Sequence, residues 1–303
     1  MSPIGTLAPP TDANSALARA RLRAALVPDL LIEAQRISNT VAAGGHGRRR
    51  RGIGDSFWQF RPYDTGESLS RIDWRRSARD GAVTVRDQEW EAAHTVWIWA
   101  DNSPSMHYKS SLSDVSKQSR ALVLALALAE ILARSGERVG WPGLTRALST
   151  RKSAERIAAE MLVTEGQMET SFPPTEHMSK RSELIIISDF LDPIETLEKQ
   201  ILKTAQRGVR GMLIQIIDPA ETEFPFSGRT EFTDPENGRK FTAGRAEHLT
   251  QDYQALFSAR NGFLGDHCKR LGWHHIVHQT DQLASTCLVT AHTRLSGQIG
   301  GAI

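Results

Sequence analysis

The chain has 303 residues, of which 40% are apolar and 24% charged, a composition typical of a soluble globular protein that can bury a core. Lys and Arg number 37 against 35 Asp and Glu, and the formal net charge of +2 is too small to argue for a nucleic-acid or membrane partner. The two cysteines form no C-x-x-C motif and exclude a disulfide framework, so we expect reduced thiols in a cytoplasmic protein. The longest apolar run, Ala121 to Ala129, is shorter than the roughly 20 residues of a membrane span, and the N-terminus lacks the pattern of a signal peptide.

The N-terminal 93 residues divide into two segments. Residues 1–45 comprise a polar, Pro-containing tail and two short predicted helices, Asn14 to Leu26 and Asp29 to Val41, separated by a break at Val27-Pro28. Residues 46–93 begin with a Gly-rich loop that carries Arg48 to Arg51 and continue with aromatic residues among charged ones. This second segment predicts an extended arm with short strands, one of them from Ala82 to Arg86.

From His94 onward, apolar strands alternate with helical segments. The strand from Thr95 to Ala100 and the strand from Leu184 to Ile187 are apolar throughout, as is typical of strands buried on both faces of a parallel sheet. The alternation predicts an α/β fold with a doubly wound, mainly parallel sheet of Rossmann type over residues 94–295, followed by a tail at 296–303. Further strands are predicted at Arg138 to Trp141, Met212 to Ile217 and Trp273 to Val277, a hairpin at 230–243, and helices at about 113–134, 153–162, 194–206, 246–271 and 282–293.

Oxygen-bearing side chains follow two of the predicted strands. Asp101, Ser103 and Ser105 come directly after the strand from Thr95 to Ala100, and Asp189 comes shortly after the strand from Leu184 to Ile187. In open α/β sheets, ligands bind at the carboxyl ends of the strands, and if these two strands are neighbours the four side chains meet at one edge. Carboxylate and hydroxyl oxygens are ligands for a hard divalent cation such as Mg²⁺. The alternative is structural, with Asp101 as a helix N-cap and the serines as turn residues.

The pattern D-x-S-x-S, with a further Asp after a later strand, resembles the metal-ion-dependent adhesion site of von Willebrand factor A domains. The resemblance implies a Mg²⁺ or Mn²⁺ site formed by Asp101, Ser103, Ser105 and Asp189, together with a Thr from a middle loop. Thr170 is the candidate for that fifth position and Thr175 is the alternative.

A second resemblance covers roughly residues 35–295. The segments Phe60-Arg61-Pro-Tyr63, Arg71-Ile72-Asp73-Trp74, Ser77-Ala78-Arg79, Val85-Arg86 and Ser188-Asp189-Phe190, with Lys117, Gly140 and the turn from Asp234 to Gly238, resemble the signature of the bacterial family called domain of unknown function 58; Glu67 stands where an Asp is usual. Members of that family resemble von Willebrand A domains and often accompany MoxR-type AAA+ ATPases. The resemblance therefore implies an adaptor or chaperone-like partner of such an ATPase.

The arm that precedes the first buried strand has two interpretations. Its charged and aromatic residues are either a structural clasp, with Asp73 paired to an Arg and Trp74 packed as an anchor, or a docking surface for a partner. The residues concerned are Arg61, Arg71, Asp73, Trp74, Arg79 and Arg86.

Three functional hypotheses follow. The leading one is a non-enzymatic, metal-dependent protein-interaction domain that binds a carboxylate-bearing client or a MoxR-type AAA+ ATPase. The second is a Mg²⁺-dependent hydrolase or phosphotransferase that uses the loop of Asp101, Ser103 and Ser105, although the sequence has no P-loop and no G-x-S-x-G elbow. The third is nucleic-acid binding through Arg48 to Arg51 and the Arg-rich arm.

Overall fold

The computed structural model describes residues 27–41, 57–64, 72–88, 94–163 and 171–299. The chain divides into two compact units. One consists of residues 46–93, and the other of residues 1–45 together with residues 94–303.

The smaller unit contains two strands and one helix. Strands β1 (Phe57–Pro62) and β2 (Thr84–Gln88) pair antiparallel, with Phe60 opposite Arg86. Helix α2 (Trp74–Asp80) begins after Asp73, whose carboxylate accepts the N–H of Arg76, and ends at Gly81, which has φ +70°. The sequence predicted the short strands but not α2, because seven residues with few apolar positions carry little helical periodicity.

The larger unit is built on a six-stranded sheet. Its strands are β3 (Thr95–Ala100), β4 (Arg138–Trp141), β5 (Thr145–Leu148), β6 (Glu183–Ser188), β7 (Arg210–Ile217) and β10 (His274–Gln279). Their order in the sheet is β10-β7-β6-β3-β4-β5. All neighbouring pairs are parallel except β4 and β5, which pair antiparallel at one edge. The mainly parallel α/β architecture predicted from the sequence is therefore present, and the short edge strand β5 is an addition to it.

The helices of this unit cover the sheet. Helix α3 (Lys117–Arg134) is the most buried helix among those described. The hydroxyl of its N-cap, Ser116, accepts the N–H of Ser119. The apolar residues of α3 join the core formed by the central strands. Residues 27–41 form helix α1, which includes Val27 and Pro28 as well as the predicted residues from Asp29 to Val41, whereas the predicted helix from Asn14 to Leu26 lies outside the described residues. The remaining helices are α4 (Ser153–Val163), α5 (Ile194–Gln206), α6 (Pro219–Glu223), α7 (Thr250–Arg270) and α8 (Ala284–Ile299).

The two strands that carry the predicted ligands are direct neighbours. Strand β3 pairs parallel with β6 in a register that runs from Val96 opposite Glu183 to Ala100 opposite Ile187. The N–H of Asp101 continues this ladder by donating to the carbonyl of Ile187 at 2.8 Å. Strands β3 and β6 consequently end at the same level of the sheet, and the loops that follow them lie side by side.

A small hairpin lies outside the main sheet. Strands β8 (Thr230–Thr233) and β9 (Lys240–Ala243) pair antiparallel, as the turn residues between them predicted. Phe232 of the hairpin stacks on Phe224, with ring centroids 5.8 Å apart, and contacts Phe226 edge to face at 5.3 Å. These rings fix the base of the hairpin to the segment that follows α6.

Candidate functional site

Asp101 is the buried centre of the loop that follows β3. Its carboxylate is 2% exposed and accepts two hydrogen bonds, from the Ser103 N–H at 2.8 Å and from the Ser188 hydroxyl at 2.7 Å. Burial, followed by repulsion from Asp189, raises the pKa of Asp101 to about 7. The Asp101 carboxylate accepts the N–H of Ser103 and caps no α-helix. The structural alternative, in which Asp101 is a helix N-cap, is therefore wrong.

The two serines of the loop bring their hydroxyls together. Ser103 and Ser105 are both buried, and their Oγ atoms lie 3.1 Å apart. A single 3₁₀ turn, Pro104–His107, begins after Ser103 and holds this arrangement, because Pro104 fixes its own φ at the first position of the turn. The pair therefore presents two neutral oxygen donors beside the Asp101 carboxylate.

Asp189 reaches the same edge from β6, where a lysine meets it. The Lys117 ammonium, on the first turn of α3, contacts Asp189 at 2.8 Å and Glu221 of α6 at 2.7 Å. Lys117 is only 1% exposed. Burial alone would lower the pKa of Lys117, but the two carboxylates outweigh burial and raise the pKa above its ordinary value. The ammonium thus neutralises part of the charge that Asp189 brings to the site.

Two further carboxylates extend the site on its open side. Glu236, at the tip of the β8–β9 hairpin, accepts the Ser105 N–H at 2.9 Å. Asp192 follows Asp189 by three residues, and burial, the largest contribution, raises its pKa, as does repulsion from Asp189. Acidic groups therefore outnumber the cations with which they interact among the described residues: Asp101, Asp189, Asp192, Glu221 and Glu236 are five carboxylates, and the cations that pair with or act on them are Lys117 and Arg260.

The described contacts place neither candidate for the predicted threonine ligand, Thr170 or Thr175, at the site. Thr170 lies outside the described residues. The alternative, Thr175, is buried, and its carbonyl accepts a hydrogen bond from Arg207 at 2.8 Å. No described hydrogen bond joins the Thr175 side chain to the site. Ser171, by contrast, interacts with the Asp192 carboxylate.

The predicted interaction arm is described only in part. Arg71 lies outside the described residues, and Arg61 and Arg86 belong to β1 and β2. Asp73 caps α2, and Trp74 is 63% exposed. Asp73 accepts the backbone N–H of Arg76 in this role, and both the clasp and the docking-surface interpretations of the arm stay predictions. Arg79 lies exposed in the last turn of α2.

The donor set matches a hard cation bound through hydroxyls and water. Among the described residues, no three His, Cys, Asp or Glu side chains are grouped so that they alone could hold a metal ion. A cation at this edge would therefore draw on Ser103 and Ser105 as well as on the carboxylates. Hydroxyl, carboxylate and water oxygens are the ligands that Mg²⁺ and Mn²⁺ accept, and the excess of negative charge favours a divalent cation, so the residues present fit this group.

A separate cleft lies away from this edge. It has a volume of 410 Å³, and its lining includes Lys269 of α7, Trp273 and His274 at the start of β10, and Arg294 of α8. None of the predicted site residues lines it. In the part of the chain that the structure describes, no helix is both long enough and apolar enough to cross a membrane.

Five residues of the site were not predicted as such from the sequence, namely Lys117, Ser188, Asp192, Glu221 and Glu236. Ser188 could have been found, because it stands between the apolar strand and Asp189. Lys117 and Glu236 stand in segments that resemble the family signature, but nothing local in the sequence gives them or Glu221 a role at the site, since a charged residue at a helix start or a hairpin turn is usually solvated. Their role depends on contacts between residues far apart in the sequence.

One comparison with known proteins identifies a family. The family described as "Protein of unknown function DUF58" matches residues 59–262. Uncharacterized proteins of Mycobacterium tuberculosis and Mycobacterium bovis are 25% identical over 268 residues, covering 83% of this chain and 82% of theirs.

Two solved structures are among those similar to this chain. One is the conserved hypothetical protein BatB from Bacteroides thetaiotaomicron, with a TM-score of 0.40, 16% identity and coverage of 68% of this chain and 100% of that one. The other is an aerotolerance-related membrane protein from Bacteroides fragilis, with a TM-score of 0.37 and the same identity and coverage.

Proposed function

The chain belongs to the DUF58 family, and we propose that it is a non-enzymatic protein-interaction domain whose binding depends on a divalent cation, Mg²⁺ or Mn²⁺. The proposal includes the finer resemblance to von Willebrand A domains and their metal-ion-dependent adhesion site. One observation carries it: Asp101, Ser103 and Ser105 meet the Asp189 loop at the carboxyl edge of neighbouring parallel strands.

The chemistry of the site explains how a cation would serve binding. Ser103 and Ser105 would offer hydroxyl oxygens to the cation, and Asp101 and Asp189 would supply charge directly or through water. Neutral ligands leave the bound cation electrophilic, so that it can accept a further carboxylate. Asp101 and Asp189 already hold protein hydrogen bonds, and this fixes their orientation before a cation arrives.

The partner that fits this chemistry is a protein that presents a carboxylate. The family resemblance favours a MoxR-type AAA+ ATPase, or a client that such an ATPase remodels, as that partner. The chain would then act as an adaptor.

Metal titration of the purified protein tests this proposal. We expect Mn²⁺ and Mg²⁺ to bind the wild type in calorimetry, Asp101→Asn and the double variant Ser103→Ala/Ser105→Ala to lose that binding, and Asp114→Asn to keep it. Asp114 is an exposed acid in the loop before α3, so it controls for the loss of one negative charge. Absence of binding in the wild type, or equal binding in Asp101→Asn, refutes the proposal. A pull-down with a MoxR-type ATPase, with and without Mg²⁺, then tests the partner.

One observation favours a second candidate, a Mg²⁺-dependent hydrolase. The pKa of Asp101 is raised to about 7, and its carboxylate contacts Ser103, so Asp101 has the proton affinity of a general base beside a hydroxyl. Release of phosphate from phosphate esters in the presence of Mg²⁺, lost in both Asp101→Asn and Ser103→Ala, would support the enzyme. Absence of turnover at metal concentrations that saturate the site favours the interaction domain.

A further inference from the structure

The tip of the β8–β9 hairpin contacts the site loop through one side chain. The Glu236 carboxylate accepts the Ser105 N–H at 2.9 Å, although the two residues are 131 positions apart in the sequence. Glu236 is exposed as a residue, yet its carboxylate end turns toward the buried Ser105. The contact therefore joins a surface turn to the centre of the candidate cation site.

The turn that carries Glu236 is rigid before any ligand arrives. The Asp234 carboxylate accepts the Glu236 N–H at 2.9 Å and the Asn237 side-chain amide at 2.6 Å, and the Gly238 N–H donates to the Asp234 carbonyl at 2.8 Å. Gly238 has φ +70°, a backbone conformation that favours glycine. The stacking of Phe232 on Phe224 holds the other end of the hairpin. Glu236 is thus held in place by the fold of the hairpin.

The position of Glu236 is electrostatically unfavourable without a cation. Glu236 lies close enough to Asp189 and Asp192 for the three carboxylates to repel one another. Among the described residues, Lys117 pairs with Asp189 and Glu221, and Arg260 donates to the carbonyls of Phe190 and Asp192, so the described contacts of these two cations go to groups other than Glu236. A divalent cation between these carboxylates would relieve the repulsion.

We propose that Glu236 is a positioning residue of the cation site, which fixes Ser105 through its backbone and adds the negative charge that makes the site strong enough to hold a divalent cation. The inference rests on the proposed function. It assigns the hairpin as one wall of the site, and it gives the Asp234 to Gly238 turn, present in the sequence as a family signature, a physical role. Groups that orient metal ligands in this way commonly contribute ten- to a hundredfold to metal affinity.

The test is Mn²⁺ affinity, measured by electron paramagnetic resonance of free Mn²⁺, in the wild type, Glu236→Gln and Glu231→Gln. Glu231 lies on the same hairpin but pairs with Lys240 at 2.8 Å, and both residues are more than half exposed. The two variants therefore remove the same charge from the same element, one at the site and one away from it. We expect Glu236→Gln to weaken Mn²⁺ binding at least tenfold and Glu231→Gln to stay within twofold of the wild type.

A second measurement needs no metal. Glu236→Ala removes the acceptor of the Ser105 N–H, so amide hydrogen exchange at Ser105 should become faster while exchange in β3 and β6 stays unchanged. Circular dichroism melts of Glu236→Gln, Glu231→Gln and Glu236→Ala would show that all three variants keep the fold.

The outcomes separate the inference from the function. If the wild type binds Mn²⁺ through Asp101 but Glu236→Gln and Glu231→Gln bind equally well, the inference is wrong and the proposed function stands. If the wild type shows no Asp101-dependent Mn²⁺ binding, both are wrong. Loss of affinity in Glu236→Gln alone, with faster exchange at Ser105 in Glu236→Ala, supports the inference.

Discussion

Replacing Lys117 by Met should destabilise the protein by about 3 to 5 kcal/mol, because it leaves two buried carboxylates without their cation. The Lys117 ammonium contacts Asp189 at 2.8 Å and Glu221 at 2.7 Å, and Asp189 and Glu221 are only 4% and 15% exposed. With an effective dielectric constant of about 20, each contact corresponds to roughly 6 kcal/mol of Coulomb attraction. Desolvation of the three ions offsets much of this sum, and removal of one partner forfeits the attraction while the desolvation cost of the carboxylates remains. Met preserves most of the side-chain volume, so cavity formation contributes little.

Urea unfolding at pH 7.5 without divalent cations measures this effect. Lys203→Met is the matched control, because Lys203 pairs with Glu176 at 3.6 Å and both side chains are more than half exposed. The control should lose less than about 1 kcal/mol. A loss below about 1 kcal/mol for Lys117→Met would refute the view that this ion pair neutralises the interior of the site.

Three further predictions concern the stability of the metal-free protein. The pKa of Asp101 is about 7 in the folded chain and near 3.8 in the unfolded chain, so between these values only the native state holds the proton and stability falls as the pH rises. Asp101→Asn should remove this decline, which amounts to about 2 to 3 kcal/mol between pH 5 and pH 7.5 and is measured by urea unfolding at those two pH values. Gly211→Ala should lower the free energy of unfolding by about 1 to 3 kcal/mol in the same assay, because the added Cβ would lie 2.0 Å from the Trp273 indole. Gly262→Ala is the control in helix α7. Its Cβ would meet no atom within 4 Å, so this variant should stabilise the helix by up to about 1 kcal/mol. Ser116→Ala should cost about 1 kcal/mol, since it removes the N-cap of α3.

Each of these predictions has a clear contradicting result. An equal difference between Asp101→Asn and the wild type at both pH values would show that Asp101 titrates alike in the folded and unfolded chains. Similar melting temperatures for Gly211→Ala and Gly262→Ala would show that the indole of Trp273 moves away at no cost. An unchanged stability of Ser116→Ala would show that water replaces the serine hydroxyl at the start of α3.

Much of the larger unit follows from local pattern. The strands from Thr95 to Ala100 and from Leu184 to Ile187 are apolar at every buried position, and such runs form central strands whatever surrounds them. The hairpin at 230–243 was also predictable from a local signal. The turn residues between its strands leave the chain few conformations. Elements with weak local signals were missed: α2, α6 and the edge strand β5 are short.

The sequence by itself thus determined that Asp101 and Asp189 end two buried strands, and that Ser103 and Ser105 follow the first of them. Only the tertiary structure decided that these strands are neighbours, since strand order depends on how the helices pack and not on any one segment. It also decided what surrounds the ligands. Lys117 and Glu236 reach the site from a helix start and a hairpin tip, and a charged side chain at such positions is solvated unless the fold brings an opposite charge or a hydrogen-bond donor to it. The local pattern of a segment indicates which face of its element a residue occupies. The partners of Lys117 and Glu236 at the site, by contrast, are residues 72 and 131 positions away in the sequence.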